Sequence, residues 1–148
     1  MTTSRTIQLS IPAEAECIDV VRLALYGVAS RMGYSFEEIE DMKVAVAEAC
    51  NNAVIHAYEY GSSGRIDVEL EQTENGLCIR IKDQGTSFDA DRAVRQAGPL
   101  DGKQLDDIRE GGLGLYLMQA LMDEVEVRSE QGTEVIMTKF LVRSGEIV

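Results

Sequence analysis

The hydrophobic positions near the start of the chain change from a period of two to a helical period. Alternation over residues 6–11 predicts a half-buried strand that ends at Pro12. Apolar residues then recur at spacings of three and four until about Gly33, which predicts an amphipathic helix. The apolar residues that define this helix are Ile18, Val21, Leu25, Val28 and Met32.

A second helix is predicted to begin at about Ser35. Ser35 and Glu38 fit a capping box, while Tyr34 and Ile39 fit a hydrophobic staple. Both are signatures of a helix N-terminus, so the chain should enter this helix through residues 34–39.

This second helix carries the stretch VAEACNNAVIHAY, residues 46–58, whose many apolar positions are typical of a helix inside a protein. Glu48, Asn51, Asn52 and His56 interrupt that pattern. A buried carboxylate or amide without a partner costs on the order of 1–3 kcal/mol. The polar groups of Glu48 and Asn52 are therefore expected to have a binding partner. His56 is interpreted as a structural residue at the helix end.

The next two apolar runs predict a β-hairpin. Residues 66–70 and 77–81 alternate, and ENG at residues 74–76 is typical of a tight turn between them. Because side chains along a strand alternate between its faces, Asp83 falls on the same face as Ile79 and Ile81. A carboxylate is thus predicted at the end of a core-facing row.

The remainder of the chain predicts a lid, a helix and two strands. Residues 84–110 carry Gly, Pro and mixed charge with little periodicity, and a lid is predicted at about 86–110. The glycine-rich GGLGLYLMQALMDEV opens a helix, and strands are predicted around 125–129 and 133–141. This order favours one α+β domain over residues 1–148, a two-layer sandwich with helices on one face of a mixed, mostly antiparallel sheet.

Composition limits the classes of function. The 148 residues are 45% hydrophobic, enough for one domain with its own core, and no apolar run approaches the roughly 20 residues of a membrane span. The start lacks the features of a signal peptide, so a cytoplasmic protein is expected. The net charge of −12 argues against direct nucleic acid binding and favours protein partners with basic surfaces. The three cysteines, Cys17, Cys50 and Cys78, are interpreted as small core residues.

Four features could meet on one ligand. Glu48 and Asn52 lie four residues apart and so share a helix face, where an amide oxygen could bind a divalent cation and a carboxylate could take a proton. Asp83 could accept an N–H from a ligand between helix and sheet, and Gly85 leaves room beside it. The glycines at 111, 112 and 114 open a helix, whose N-terminus can bind phosphate. An adenine nucleotide with Mg²⁺ accounts for all four.

Each feature also has a simpler interpretation. Asn52 alone could cap or bridge helices, and Asp83 with Gly85 could form an ordinary turn at a strand end. Glycines before a helix commonly permit tight packing. The combination, in this order and with a lid before the last feature, is more specific than any single part.

The motifs EACNN, DQG, GGLGL and GTEV resemble the ATP-binding (Bergerat or GHKL) fold shared by gyrase B, the Hsp90 chaperone, histidine kinases and MutL. Residues 30–58 and 110–125 closely resemble the anti-sigma factor serine-protein kinases, in particular the anti-sigma-B type of the Gram-positive general stress response. The resemblance covers nearly the whole chain and is weakest between about 90 and 107. The first glycine box, DQGTSF, lacks the second glycine of the broader D-x-G-x-G pattern.

The resemblance implies a role for each matching residue. Glu48 corresponds to the general base that activates the substrate serine, and Asn52 to the Mg²⁺ ligand. Asp83 corresponds to the residue that reads the adenine amino group, with support from Thr133. The remaining ATP-binding positions are Gly85 at the adenine pocket, and Gly112 and Gly114 in the box that meets the phosphates.

The function implied is an ATP-dependent protein serine kinase that withholds an alternative sigma factor. Its substrate would be an anti-anti-sigma (STAS-type) protein, and a homodimer is implied by the same resemblance. Two alternatives are a non-catalytic nucleotide-sensing binding module, which would not need Glu48, and a fragment of a sensor histidine kinase. Arg22 on the first helix could contact protein partners or could be a solvated arginine.

Overall fold

A single sheet supports all the helices of the described chain. The computed structural model describes residues 5–59, 64–83, 113–128 and 132–141, apart from the side chains of 56–59 and 113. The strands are β1 (Arg5–Pro12), β2 (Arg65–Gln72), β3 (Gly76–Asp83), β4 (Glu124–Arg128) and β5 (Thr133–Phe140). The helices of these ranges are α1 (Ile18–Met32), α2 (Phe36–Glu59) and α3 (Leu113–Leu121), with a short 3-10 turn at Ala15–Cys17.

The predicted α+β architecture is confirmed, and the sheet is more regular than expected. The strand order is β1-β2-β3-β5-β4, and every pairing among the described strands is antiparallel, where a mixed sheet was predicted. The antiparallel pairing of β1 with β2 has a simple cause. Two helices in succession carry the chain away and back, so β2 begins at the end of the sheet where β1 stops.

The core lies between the helices and one face of the sheet. Alternate residues of β2, β3 and β5 are buried, and α1, α2 and α3 pack over them. The opposite face carries charged pairs, such as Arg80 with Glu69 and Glu71. The buried side chains of β2, β3 and β5, which confirm the predicted alternation, are Ile66, Val68, Leu70, Leu77, Ile79, Ile81, Asp83, Val135 and Met137.

The start of α2 follows the predicted capping box. The Ser35 amide donates to the Glu38 carboxylate at 2.8 Å, and the Glu38 amide donates to the Ser35 hydroxyl at 3.1 Å. Gly33 ends α1 in the left-handed conformation, with φ of 102°, which glycine adopts without strain. The sharp reversal between α1 and α2 is therefore built from local interactions.

The helix α2 is less buried than its sequence suggests. Ala45, Val46, Ala49, Cys50 and Ala53 are buried as expected, because they face the sheet and the neighbouring helices. The opposite side remains exposed, with Val44, Asn51 and Ile55 reaching solvent. Within the described ranges α1 and α3 flank α2, and its outer side is exposed, as the predicted two-layer arrangement implies.

Tyr34 fastens the beginning of α2 to the sheet. Its hydroxyl donates to the Lys139 carbonyl at 2.5 Å and accepts the Leu77 amide N–H at 2.8 Å. Leu77 and Lys139 face each other across β3 and β5, near the start of β3. The helix therefore starts above that end of the sheet and runs toward the end that carries Asp83.

For the residues described, none of the helices is both long enough and apolar enough to cross a membrane. The three cysteines are free thiols. Cys50 is buried as predicted, whereas Cys17 and Cys78 are half-buried. Cys78 lies on the solvated face of the sheet, because it alternates with the buried residues of β3.

Candidate functional site

Glu48 and Asn52 meet the first turn of α3 at Gly114. A Cβ atom built on Gly114 would lie 3.1 Å from Glu48 Oε1 and 3.6 Å from Asn52 Nδ2. Gly114 itself is buried, while the Glu48 and Asn52 side chains are half-buried. The four-residue spacing on α2 thus aligns a carboxylate and an amide. Because Gly114 has no side chain, α3 can approach both groups closely.

The polar atoms of this pair are available to a ligand. Neither side chain forms a hydrogen bond or an ion pair with another residue of the described ranges. Those ranges also contain no group of three His, Cys, Asp or Glu residues that could enclose a metal ion. Mg²⁺ is usually held by one or two protein oxygens together with substrate phosphates. The Asn52 amide oxygen fits that kind of shared coordination and leaves the nearby Glu48 carboxylate free of the metal.

Asp83 lies at the end of the buried row of β3, as its position in the strand predicts. It is 6% exposed and, within the described residues, is the one buried side chain that carries a charge. Thr133 is its direct partner on β5, and Ile66 is its partner on β2. A buried carboxylate beside a hydroxyl can accept an N–H from a heterocycle, provided that the ligand enters between the helices and the sheet.

The α2 pair and Asp83 lie at the same end of the domain. From the anchor at Tyr34, Glu48 and Asn52 are roughly 21 and 27 Å along the helix at 1.5 Å per residue. Asp83 is roughly 20 Å along β3 from Leu77 at 3.3 Å per residue. Only residues 60–63 separate the described end of α2 from Gly64, whose carbonyl accepts the Ala13 amide N–H beside this row. The fold therefore brings Glu48, Asn52 and Asp83 to the same end of the domain, where β3 ends.

Cys50 on α2 and Arg22 on α1 lie close enough for the arginine charge to act on the thiol. Burial raises the pKa of the Cys50 thiol to about 12, and the positive charge of Arg22 lowers it only slightly in comparison. A thiol with that pKa is almost fully protonated at neutral pH and is a poor nucleophile. Arg22 itself is partly exposed on α1 and forms an ion pair with Asp19 one turn away.

Several predicted positions lie outside the described residues. These are Gly85, Gly112 and the lid at about 86–110, and the His56 side chain is likewise undescribed. Two contacts were not anticipated from the sequence. Tyr34 was assigned only to a hydrophobic staple, although a tyrosine where phenylalanine would suffice signals a hydroxyl with partners. Gly114 was assigned to a phosphate box, and its close approach to Glu48 was missed.

Taken together, the geometry suits a nucleotide with a divalent cation and a proton-accepting carboxylate. The adenine end would be read at Asp83 and Thr133, and the phosphate end would lie near Asn52 and the beginning of α3. Glu48 stands beside Asn52 on the same helix face.

Comparisons with known proteins identify the family of the chain. Residues 11–139 match the histidine kinase-like ATPase domain family. The chain is 51% identical to the serine-protein kinase RsbW of Bacillus velezensis, over 96% of this chain and 88% of the relative. It is 47% identical to the RsbW kinase of Bacillus subtilis over the same shares.

Solved structures show the same fold at low sequence identity. The RsbU and RsbW domains of a Mycobacterium tuberculosis protein superpose with a TM-score of 0.67 and 21% identity, covering 97% of this chain and 34% of that one. The SiaB–SiaC complex of Pseudomonas aeruginosa gives a TM-score of 0.65 and 16% identity, covering 91% and 88%. From the family match and the extent of identity, the chain belongs to the RsbW serine-protein kinases of the histidine kinase-like ATPase family.

Proposed function

We propose that this protein transfers the γ-phosphoryl group of ATP to a serine of a partner protein, with Glu48 as the general base. The observation that carries the proposal is the pairing of Glu48 with Asn52 against the first turn of α3. A protein that only bound nucleotide would need Asn52 and Asp83 but no carboxylate at this place. Family membership supports the same class of reaction.

Each residue has a defined task in this proposal. Asp83, supported by Thr133, would accept the adenine amino N–H, and Asn52 would hold Mg²⁺ through its amide oxygen. Mg²⁺ supplies neutralisation of the phosphate charge, which phosphoryl transfer requires together with accurate positioning. Gly85 and Gly112 would, by motif position, leave room for the nucleotide, whereas the space beside the Gly114 Cα is occupied by Glu48.

The proton balance assigns Glu48 its role. As the serine Oγ forms a bond to the γ-phosphorus, the bond from that phosphorus to the β–γ bridging oxygen breaks and ADP departs. The serine hydroxyl proton passes to the Glu48 carboxylate. A positioned base of this kind contributes about 10²–10⁴ in rate.

The proposed partners are an alternative sigma factor and a STAS-type anti-anti-sigma protein. The protein would withhold the sigma factor and phosphorylate the antagonist, which competes for the kinase when it is unphosphorylated. The net charge of −12 is compatible with partners that present basic surfaces. Arg22, partly exposed on α1, is a candidate contact for both partners. Because a sigma factor acts on RNA polymerase, the proposed site of action is the cytoplasm.

The edge of the sheet at β1 supports a homodimer. Ile7 lies on the helix-covered face of the sheet yet is 42% exposed, because no described helix reaches it. Val20 and Leu23 on the neighbouring α1 are 51% and 71% exposed. Within the described chain β1 pairs only with β2, so its other edge is available for pairing, as exposed edge strands are. We propose that a second copy covers these positions.

Two substitutions test the catalytic assignment. Asn52→Ala should abolish Mg²⁺-dependent ATP binding, and with it all nucleotide-dependent functions. Glu48→Gln keeps the size of the side chain but cannot accept a proton, so it should bind ATP normally while phosphorylating about 10²–10⁴ times more slowly. The measurement is a phosphoserine time course with saturating Mg-ATP and the anti-anti-sigma protein encoded beside the kinase, together with an ATP titration.

Asn51→Ala and Glu37→Gln are matched controls, since both residues are exposed on the same helix. They should retain wild-type rates and ATP affinity. Phosphorylation near the wild-type rate in Glu48→Gln would refute the role of Glu48. Nucleotide binding without any phosphoserine in the wild type would instead identify a non-catalytic nucleotide-sensing module.

A further inference from the structure

Gly114 occupies a helical position where glycine is not required by the backbone. It is the second residue of α3, and its φ lies outside the range that L-residues avoid. Alanine in a helix interior is about 1 kcal/mol more favourable than glycine. The glycine therefore needs another explanation, and the surroundings of its Cα supply one.

The space beside that Cα is filled by the Glu48 side chain. An added Cβ would lie 3.1 Å from Oε1 and 3.9 Å from Cβ of Glu48, and 3.6 Å from Nδ2 of Asn52. The first distance is shorter than a normal carbon–oxygen contact, whereas the other two are ordinary van der Waals contacts. A methyl group at this position would displace the Glu48 carboxylate and leave Asn52 in place.

We propose that Gly114 is a positioning residue for the phosphoryl-transfer step. Because it has no side chain, the Glu48 carboxylate can occupy the space beside α3 from which it accepts the proton. This inference rests on the proposed role of Glu48 as the general base. It goes beyond a phosphate-box role for Gly114, because the predicted consequence of filling the space concerns the base and not nucleotide affinity.

The two roles predict different kinetic effects for Gly114→Ala. If Gly114 positions Glu48, a carboxylate displaced by a few tenths of an ångström should lower kcat about tenfold, since misplacement by about 1 Å can cost 10²-fold. The ATP dissociation constant should stay within about twofold of wild type, because Asn52 keeps its contact distance. The thermal midpoint should stay the same or rise, as expected from the helix propensities.

A double-mutant cycle shows whether the effect acts through Glu48. Phosphoserine formation is measured under single-turnover conditions for wild type, Gly114→Ala, Glu48→Gln and the double variant, using the anti-anti-sigma protein as substrate. The loss caused by Gly114→Ala should disappear in the Glu48→Gln background, where no base remains to be displaced. Ala120→Ser adds one heavy atom at an exposed position of the same helix. It should leave kcat, the ATP dissociation constant and the thermal midpoint unchanged.

The possible failures are distinguishable. An equal loss from Gly114→Ala in both backgrounds, or a loss of ATP affinity in place of kcat, would overturn the positioning role in favour of direct nucleotide contact. Wild-type kcat in Gly114→Ala together with a slow Glu48→Gln would overturn only this inference. A wild-type rate in Glu48→Gln would remove both this inference and the proposed general base.

Discussion

Replacing Tyr34 by phenylalanine tests how the helix layer is fixed to the sheet. The change removes one oxygen atom that bridges two strands and the start of α2. That oxygen accepts the Leu77 amide N–H at 2.8 Å and donates to the Lys139 carbonyl at 2.5 Å. The aromatic ring, which is 6% exposed, keeps its packing in the phenylalanine variant.

The expected cost follows from the groups left without partners. Leu77 is fully buried, so water does not readily replace the lost acceptor of its amide. The buried Leu77 amide without a partner costs about 1–3 kcal/mol, and the lost bond to the carbonyl of half-buried Lys139 adds about 1 kcal/mol, which gives about 2–4 kcal/mol for Tyr34→Phe. For a chain of this size, that corresponds to a fall in the melting temperature of roughly 5–15 °C.

Urea denaturation followed by circular dichroism measures this cost at equal protein concentrations. Tyr26→Phe is the matched control, because Tyr26 is exposed and has no hydrogen bond with another residue of the described ranges. It should unfold within about 0.5 kcal/mol of wild type, as is typical of surface substitutions. A Tyr34→Phe midpoint equal to that of Tyr26→Phe would show that the bridge contributes nothing to stability.

The same residue predicts a pH dependence. Burial raises the pKa of Tyr34 to about 12, with smaller upward effects from the negative charges of Glu38 and Asp123, while the bond from the Leu77 amide lowers it. In the unfolded chain the hydroxyl titrates near pH 10. The contribution of the neutral hydroxyl to the free energy of unfolding is therefore complete below pH 10 and is lost as the pH rises toward 12. The loss approaches about 2.7 kcal/mol, and Tyr34→Phe should lack this component of the alkaline decline in stability.

Two further substitutions test the adenine site and the dimer. Asp83→Asn should weaken ATP and ADP binding together by about 10- to 100-fold, the equivalent of one hydrogen bond to a charged group, and a calorimetric titration with unchanged affinities would exclude Asp83 as the adenine reader. Leu23→Glu should convert the proposed homodimer to a monomer in sedimentation experiments, because it places a charge on an apolar surface. The control Gln119→Glu changes an exposed residue of α3 and should leave the dimer intact; identical sedimentation of both variants would contradict an interface at α1.

Local sequence patterns determined the elements and the faces of individual residues. The period of two along β3 correctly placed Asp83 on the buried face with Ile79 and Ile81. The four-residue spacing placed Glu48 beside Asn52, and the capping box marked the start of α2. These features follow from backbone geometry and from interactions among residues close in the chain, so they can be recognised without knowledge of the fold.

Tertiary structure alone decided which elements meet. Asp83 and Thr133 are fifty residues apart and become neighbours only because β5 lies between β3 and β4. Tyr34 reaches Lys139 across 105 residues, and Gly114 approaches Glu48 from a helix far along the chain. The composition of α2 did not show that Val44 and Ile55 lie on its exposed side, because apolar residues do not reveal how many neighbours a helix has. Contacts of this kind depend on how separate elements pack, and packing is a property of the whole chain and not of any segment.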